Sequence, residues 1–162
     1  MKLVRVLVDH FRAIEHADVE LGPGLNILYG PNDLGKSTLA TAIRAALLLP
    51  TTSSEADKYA SWIGDLPPRV TLTFQAEKEL IHRVMKLYGA HPSVTLEKSR
   101  DGVRFETDSS GRQVEEKLRG LLDWGIPPPG GKKGIRGVPQ SFLGQVLLAE
   151  QTDVDGILEQ SF

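Results

Sequence analysis

Apolar positions along this chain switch between a period of two and a period near 3.6, a rhythm that outlines an α/β fold. Residues 2–8 (KLVRVLV) are mostly apolar and β-branched and read as a strand. Residues His10 to Ala13 turn the chain. From Ile14 to Leu21, Ala17, Val19 and Leu21 alternate with His16, Asp18 and Glu20, the pattern of a half-buried strand. Gly22-Pro23-Gly24 marks a turn. Leu25 to Tyr29 (LNILY) is nearly continuous apolar sequence, as expected of a strand buried on both faces. A helix follows: Leu39, Ala42, Ile43, Ala46 and Leu47 recur at helical spacing, and Pro50 lies just beyond its end.

The middle of the chain reads differently. Ala56, Tyr59, Ala60 and Ile63 predict a short amphipathic helix, with Ser54 and Asp57 as its capping pair. Gly64 to Pro68 breaks it. Val70, Leu72, Phe74 and Ala76 then alternate with polar residues, a second strand covers Leu80–Tyr88, and a hairpin joins Val94–Lys98 to Val103–Glu106 around Asp101-Gly102. Val114, Leu118, Leu121 and Leu122 predict another helix. Residues 125–137 (GIPPPGGKKGIRG) form a loop dense in Gly and Pro, and the last apolar run, Val146–Ala149, ends at Glu150-Gln151. The sequence has neither an internal repeat nor a sustained heptad.

Candidate chemistry enters at residues 30–37, GPNDLGKS, which match G-x-x-x-x-G-K-[ST]. The context suits the mechanism, because an apolar run enters this segment and an apolar-faced helix leaves it. Gly30 and Gly35 let the backbone wrap so that successive N–H groups can face phosphate oxygens. The helix start adds its positive dipole end. Lys36 would reach the β- and γ-phosphates, and the Ser37 hydroxyl would sit on Mg²⁺. At average residue frequencies such a match arises by chance in a chain of this size on the order of half a per cent of the time. The bland alternative is a glycine turn into a helix with Lys36 solvated.

Composition narrows the class. The 162 residues include 19 Lys+Arg and 21 Asp+Glu for a net charge of −2, with 40% hydrophobic residues, 25% charged residues and no cysteine. That is ordinary globular composition, sized for one domain. It gives no support to nucleic-acid binding by bulk basicity. It excludes cysteine-based metal sites and disulfides within the chain. No apolar run approaches the ~20 residues of a membrane helix, no secretion signal is visible, and a cytoplasmic protein is the default expectation.

A phosphate loop alone does not hydrolyse a nucleotide; an acid for Mg²⁺ and a group for transition-state charge are also needed. The nearest acidic strand end is Val146–Glu150. There Glu150 could serve as an imperfect acid, Gln151 could be a neutral oxygen ligand to Mg²⁺ or the attacking water, or both could be surface residues closing a core strand.

Residues 2–49 resemble the start of the ABC ATPases of chromosome maintenance and repair, the SMC, RecF, RecN and SbcC families and their bacterial AAA-type relatives. The order is strand, Phe-Arg turn, strand, P-G-L-N-I-L-Y-G-P-N, helix. FLGQVLLAEQTDVDGIL is similar to the glutamine-loop region of the SbcC-type members. Residues 51–140 carry no specific match. The resemblance implies an α/β, P-loop ABC-ATPase-type lobe, with a mixed β-sheet, a P-loop helix and a second antiparallel β subsheet. It implies that Asn32, Asp33, Gly35, Lys36, Ser37 and Thr38, with Gly30, hold the triphosphate of ATP. It implies that Ser37 and Gln151 hold Mg²⁺ and that Arg12 approaches the nucleotide; read alone, Arg12 is an ordinary turn arginine. Leu34 departs from the small residue usual before Gly35, and Asp33 from the usual Gly.

The Ser-Gly-Gly-type signature, the Asp-Glu acidic strand, the switch His and the long coiled coil of these families do not occur in residues 1–162. The expectation is a single N-terminal head lobe, phosphate loop at 30–38 and glutamine loop near 151, cut before a coiled coil. Its implied partners are a C-terminal lobe, a second head joined on ATP binding, a nuclease subunit and DNA, with no membrane. ATP hydrolysis would belong to the assembled protein, and the isolated chain would bind ATP without turnover. The competing reading is a complete small P-loop enzyme, a nucleotide or small-molecule kinase, with Glu150 serving Mg²⁺ and Lys132, Lys133 and Arg136 on a lid. The four His are scattered without ligand spacing. His16 is expected on the surface, and Trp62 and Trp124 in packing at the core or lobe edge.

Overall fold

The computed structural model describes residues 1–32, 34–77 and 79–122. Six strands form one sheet in the order β2-β1-β3-β4-β5-β6, with every neighbouring pair antiparallel. They are β1 (Lys2–Phe11), β2 (Ile14–Glu20), β3 (Arg69–Glu77), β4 (Leu80–Leu87), β5 (Ser93–Ser99) and β6 (Glu106–Ser110). Helices α1 (Lys36–Leu48) and α2 (Arg112–Leu121) and a 3₁₀ helix, Ser54–Tyr59, complete the described elements.

The alternation read from sequence decides which face is covered. Val6 and Val8 of β1, Val70, Leu72 and Phe74 of β3, Val84 of β4 and Leu96 of β5 are fully buried. The cross-strand pairs Val8–Val70, Val6–Leu72, Leu72–Val84 and Val84–Leu96 put them in one continuous layer. Helix α1 packs on this layer through Leu39, Ala42, Ala45, Ala46, Leu47 and Leu48. Three of those six are alanines, and so small a face lets the helix backbone come close to the sheet. Helix α2 adds Val114 and Leu118 to the same core.

One inward position carries a charge. Lys86 of β4 is fully buried; its Nζ donates to the carbonyl of Leu49 at 2.8 Å and pairs with Glu115 of α2 at 2.8 Å. Burial lowers the Lys86 pKa, while Glu115 opposes that shift. The lysine ties the end of α1, strand β4 and helix α2 together.

Four expectations are corrected. Residues 25–29 form no strand: Leu25, Ile27 and Tyr29 are 88%, 71% and 91% exposed. A strand apolar on both faces needs neighbours on both edges and cover on both sides. Among the described residues the sheet ends at β2 and nothing covers the run. The Ser54–Asp57 capping pair shifts: Ser53 is the N-cap, its hydroxyl accepting from Glu55 N–H at 3.3 Å, and the helix ends at Tyr59. Residues 103–105 lie outside β6, because Asp101 Oδ1 captures the amides of Val103 and Arg104, both at 2.9 Å, before they can enter a ladder. The described strands also form a single antiparallel sheet rather than a mixed sheet with a second subsheet.

Candidate nucleotide-phosphate site

The site is assembled where α1 begins. Gly35 is the N-cap of α1 and takes φ +81°, a left-handed conformation that costs a residue with a Cβ roughly 1–2 kcal/mol. A Cβ there would also lie 3.0 Å from Cγ1 of Ile14. Gly35 is thus favoured twice over, by its own backbone and by the hairpin pressed against it. Gly30 has φ +152°, and a Cβ on it would meet Leu34 Cδ1 at 3.0 Å. No side chain caps α1. The first intrahelical bond runs from Leu39 N–H to Gly35 O at 2.8 Å. The amides of the first turn are therefore orphan donors at the positive end of the helix dipole.

Lys36 bends back over the loop. Its Nζ donates to the carbonyls of Gly30 at 3.0 Å and Pro31 at 2.6 Å. The ammonium thereby closes the loop's concave side with positive charge, beside the free helix amides. Asn32 and Ser37 are exposed, and Thr38 is half-buried. In the next turn Thr41 donates to the Ser37 carbonyl at 2.9 Å. A cleft of about 530 Å³ adjoins the site, lined by Ala13, Ile14, Leu28, Leu34, Gly35 and Lys36 among others.

The β1–β2 hairpin supplies one wall of this cleft, and its backbone is strained. His10 and Arg12 take φ +53° and +50° on either side of Phe11. The Phe11 ring stacks on Tyr59, centroids 4.9 Å apart. Arg12 is held by the 3₁₀ helix: its Nε donates to Lys58 O at 3.2 Å, its guanidinium lies 5.0 Å from the Tyr59 ring centroid, and its amide donates to Tyr59 O at 3.2 Å. Its carbonyl accepts from Trp62 N–H at 2.9 Å.

The structure therefore brings Gly30, Gly35, Lys36, Ser37 and Thr38 together at one helix start, with Asn32 on the loop between them. It sets Arg12 one residue from the cleft, engaged with Lys58 and Tyr59. Asp33 and Gln151 lie outside the described residues, as do Glu150, Trp124, Lys132, Lys133 and Arg136. His16 is on the surface as expected, 2.7 Å from Asp9. Trp62 is 72% exposed and is not core packing. Sequence reasoning missed Ile14 as the neighbour that would crowd a Cβ at Gly35. The available signal was its place directly after the Phe11-Arg12 turn. Among the described residues no group of His, Asp and Glu could hold a metal ion, and no helix is long and apolar enough to cross a membrane.

A glycine-jointed loop leading into an uncapped helix on an α/β core fits a P-loop ATPase-like fold. The AAA domain family matches residues 5–123, and the chain belongs to it. Among curated proteins, the DNA replication and repair protein RecF of Salmonella newport is 29% identical over 143 residues, 86% of this chain and 36% of its own length. RecF proteins of Erwinia tasmaniensis and Proteus mirabilis are each 51% identical over 43 residues, 26% of this chain and 12% of theirs. The chain thus spans about a third or less of the curated relatives it matches.

Proposed function

We propose that the chain is the Mg-ATP-binding lobe of a cytoplasmic DNA repair or chromosome-maintenance ATPase of the SMC/RecF/SbcC type. The observation that carries this reading is the start of α1: left-handed Gly35, uncapped first-turn amides and the Lys36 ammonium converge on one concave loop. That donor set suits a polyphosphate, which is anionic and accepts hydrogen bonds on every oxygen. The amides of residues 33 to 38 would hold the β- and γ-phosphates, with Gly30 and Asn32 shaping the loop. Lys36 would exchange its bonds to the Gly30 and Pro31 carbonyls for bonds to phosphate. Ser37 and Gln151 would hold Mg²⁺, which when bound neutralises phosphate charge. Arg12 would contact the nucleotide from the hairpin wall.

On this reading the chain binds nucleotide and does not turn it over alone. A C-terminal lobe and a second head, joined on ATP binding, complete the catalytic site. DNA and a nuclease subunit are partners of the full assembly. Resemblance to RecF proteins does not favour the small-kinase alternative. A titration with fluorescent ATP tests the reading: Lys36→Ala should weaken binding at least about tenfold, the loss of one charge-assisted contact. The chain should show no ATPase activity above background. Robust turnover abolished by both Lys36→Ala and Glu150→Gln would instead establish the small enzyme.

A further inference from the structure

We infer that the turn between β5 and β6 is a docking site for the phosphate backbone of duplex DNA, with Arg100 and Arg104 as its contacts. The inference rests on the proposed role in a DNA-associated ATPase and locates that partner on this chain.

The turn is ordered by its own hydrogen bonds. Asp101 Oδ1 accepts from Ser99 Oγ at 2.8 Å and from the amides of Val103 and Arg104 at 2.9 Å. Ser99 Oγ also accepts from Gly102 N–H at 3.0 Å. Gly102 has φ +73°, and a Cβ there would lie 3.1 Å from Ile81 Cδ1, so the turn sits tightly on β4. Two arginines are thus presented on a fixed backbone, which lowers the entropy lost when they bind.

Charge bookkeeping singles them out. The two arginines share a cleft of about 470 Å³ with Lys98, Ser99, Asp101 and Glu106. Asp101 is tied to the turn by neutral donors, two amides and a hydroxyl, and keeps its negative charge beside the arginines. Asp108 sits between Lys98 and Lys117, 2.9 Å from each, and Glu97 is paired with Arg83 at 2.5 Å. Glu106 lies opposite Lys98 in the β5–β6 register. Arg100 and Arg104 are exposed, and neither guanidinium has an acidic partner among the described residues. With Asp101 counted against them, the two arginines still leave this corner a local excess of positive charge in a chain whose net charge is −2.

Guanidinium pairs recognise phosphate oxygens in bidentate fashion. A peptide partner would need a buried apolar anchor, and the apolar side chain this turn exposes is Val103, 80% open to solvent. A phosphate backbone needs only positioned charge, without sequence preference.

Fluorescence anisotropy of a short mixed-sequence duplex against the full chain tests the site, with fluorescent ATP titrated in parallel. The double variant Arg100→Ala/Arg104→Ala should bind the duplex roughly tenfold or more weakly at low salt, and its slope of log affinity against log salt should fall by about two. Its ATP titration should not change. Arg100→Lys/Arg104→Lys should retain most of the slope; a slope lost as fully as with alanine overturns a phosphate contact. Unchanged duplex affinity and slope in the alanine pair overturn the site outright. A wild-type chain that binds ATP but no duplex overturns the site and leaves the nucleotide reading standing; duplex binding without ATP binding does the reverse. Polyglutamate binding lost in the alanine pair while duplex binding survives would reassign the surface to an acidic protein segment.

Discussion

At the C-terminal end of α1, the carbonyl of Leu49 is taken by the buried ammonium of Lys86, which also holds Glu115. At the N-terminal end no side chain caps the helix, and Lys36 reaches loop carbonyls from a half-exposed position. Each end presents four unsatisfied backbone groups by construction. At one end a carbonyl is met inside the fold, by a charge that has no access to water. The other leaves its amides to solvent or to a ligand. A helix end satisfied internally belongs to stability, and one left open at a glycine joint is available for function.

The comparison breaks most readily at Lys86. Lys86→Ala strands the Leu49 carbonyl and Glu115 together, and should cost about 3–5 kcal/mol in urea unfolding. Lys36→Ala should cost under about 1 kcal/mol, because its partners regain water. Equal losses at the two lysines would erase the distinction between the ends. Lys86→Met combined with Glu115→Gln sharpens it, since removing both charges should recover much of the loss. Next in size is Gly35→Ala, expected to lower stability by roughly 1–3 kcal/mol through its left-handed backbone and the Ile14 contact. Thermal unfolding would show this, with nucleotide affinity falling as well.

A smaller effect is expected along residues 25–29. Leu25→Ser and Tyr29→Ser should each change the stability of the chain by no more than about 0.5 kcal/mol, because both side chains are already in water. A buried strand would lose roughly 2–5 kcal/mol at such positions. The smallest prediction concerns Asp101, whose pKa is lowered to about 2 by the Arg104 and Val103 amides and the Ser99 hydroxyl. Its depressed pKa means that the turn is held above the ordinary carboxylate range and released as pH falls through about 2. Amide chemical shifts of Val103 and Arg104 followed by NMR should titrate there; a midpoint near the ordinary carboxylate value would show that the carboxylate does not hold the turn.

Much of the core was legible because it rests on period alone. Val70, Leu72 and Phe74 alternate in sequence and are buried together, and the spacing of Leu39, Ala42, Ala46 and Leu47 gave α1 its packed face. Residues 25–29 were misread because hydrophobicity records what a segment would bury, not whether neighbours are at hand to bury it. The start of β6 was misplaced because one Asp side chain diverted two amides. Lys86 was readable in principle: alternation with His82 and Val84 sets it on the inward row, and a lysine there requires acceptors. Which acceptors it would find depended on contacts from α1 and α2 that no local pattern encodes. At the site, the glycines and Lys36 were legible as a motif. The engagement of Arg12 with Tyr59 and Lys58, forty-six positions away in sequence from its backbone acceptor, was not.

The sheet's two outermost strands bear on how the molecule behaves in crowded solution. Strand β2 carries Glu15, Asp18 and Glu20, and β6 carries Glu106 and Asp108. A second copy approaching either of these strands to extend the sheet would meet Glu15 and Glu20 or Glu106, while Asp18 and Asp108 are already held by Arg5 and by Lys98 and Lys117. Acidic side chains of this kind disfavour extension of the sheet at these two strands.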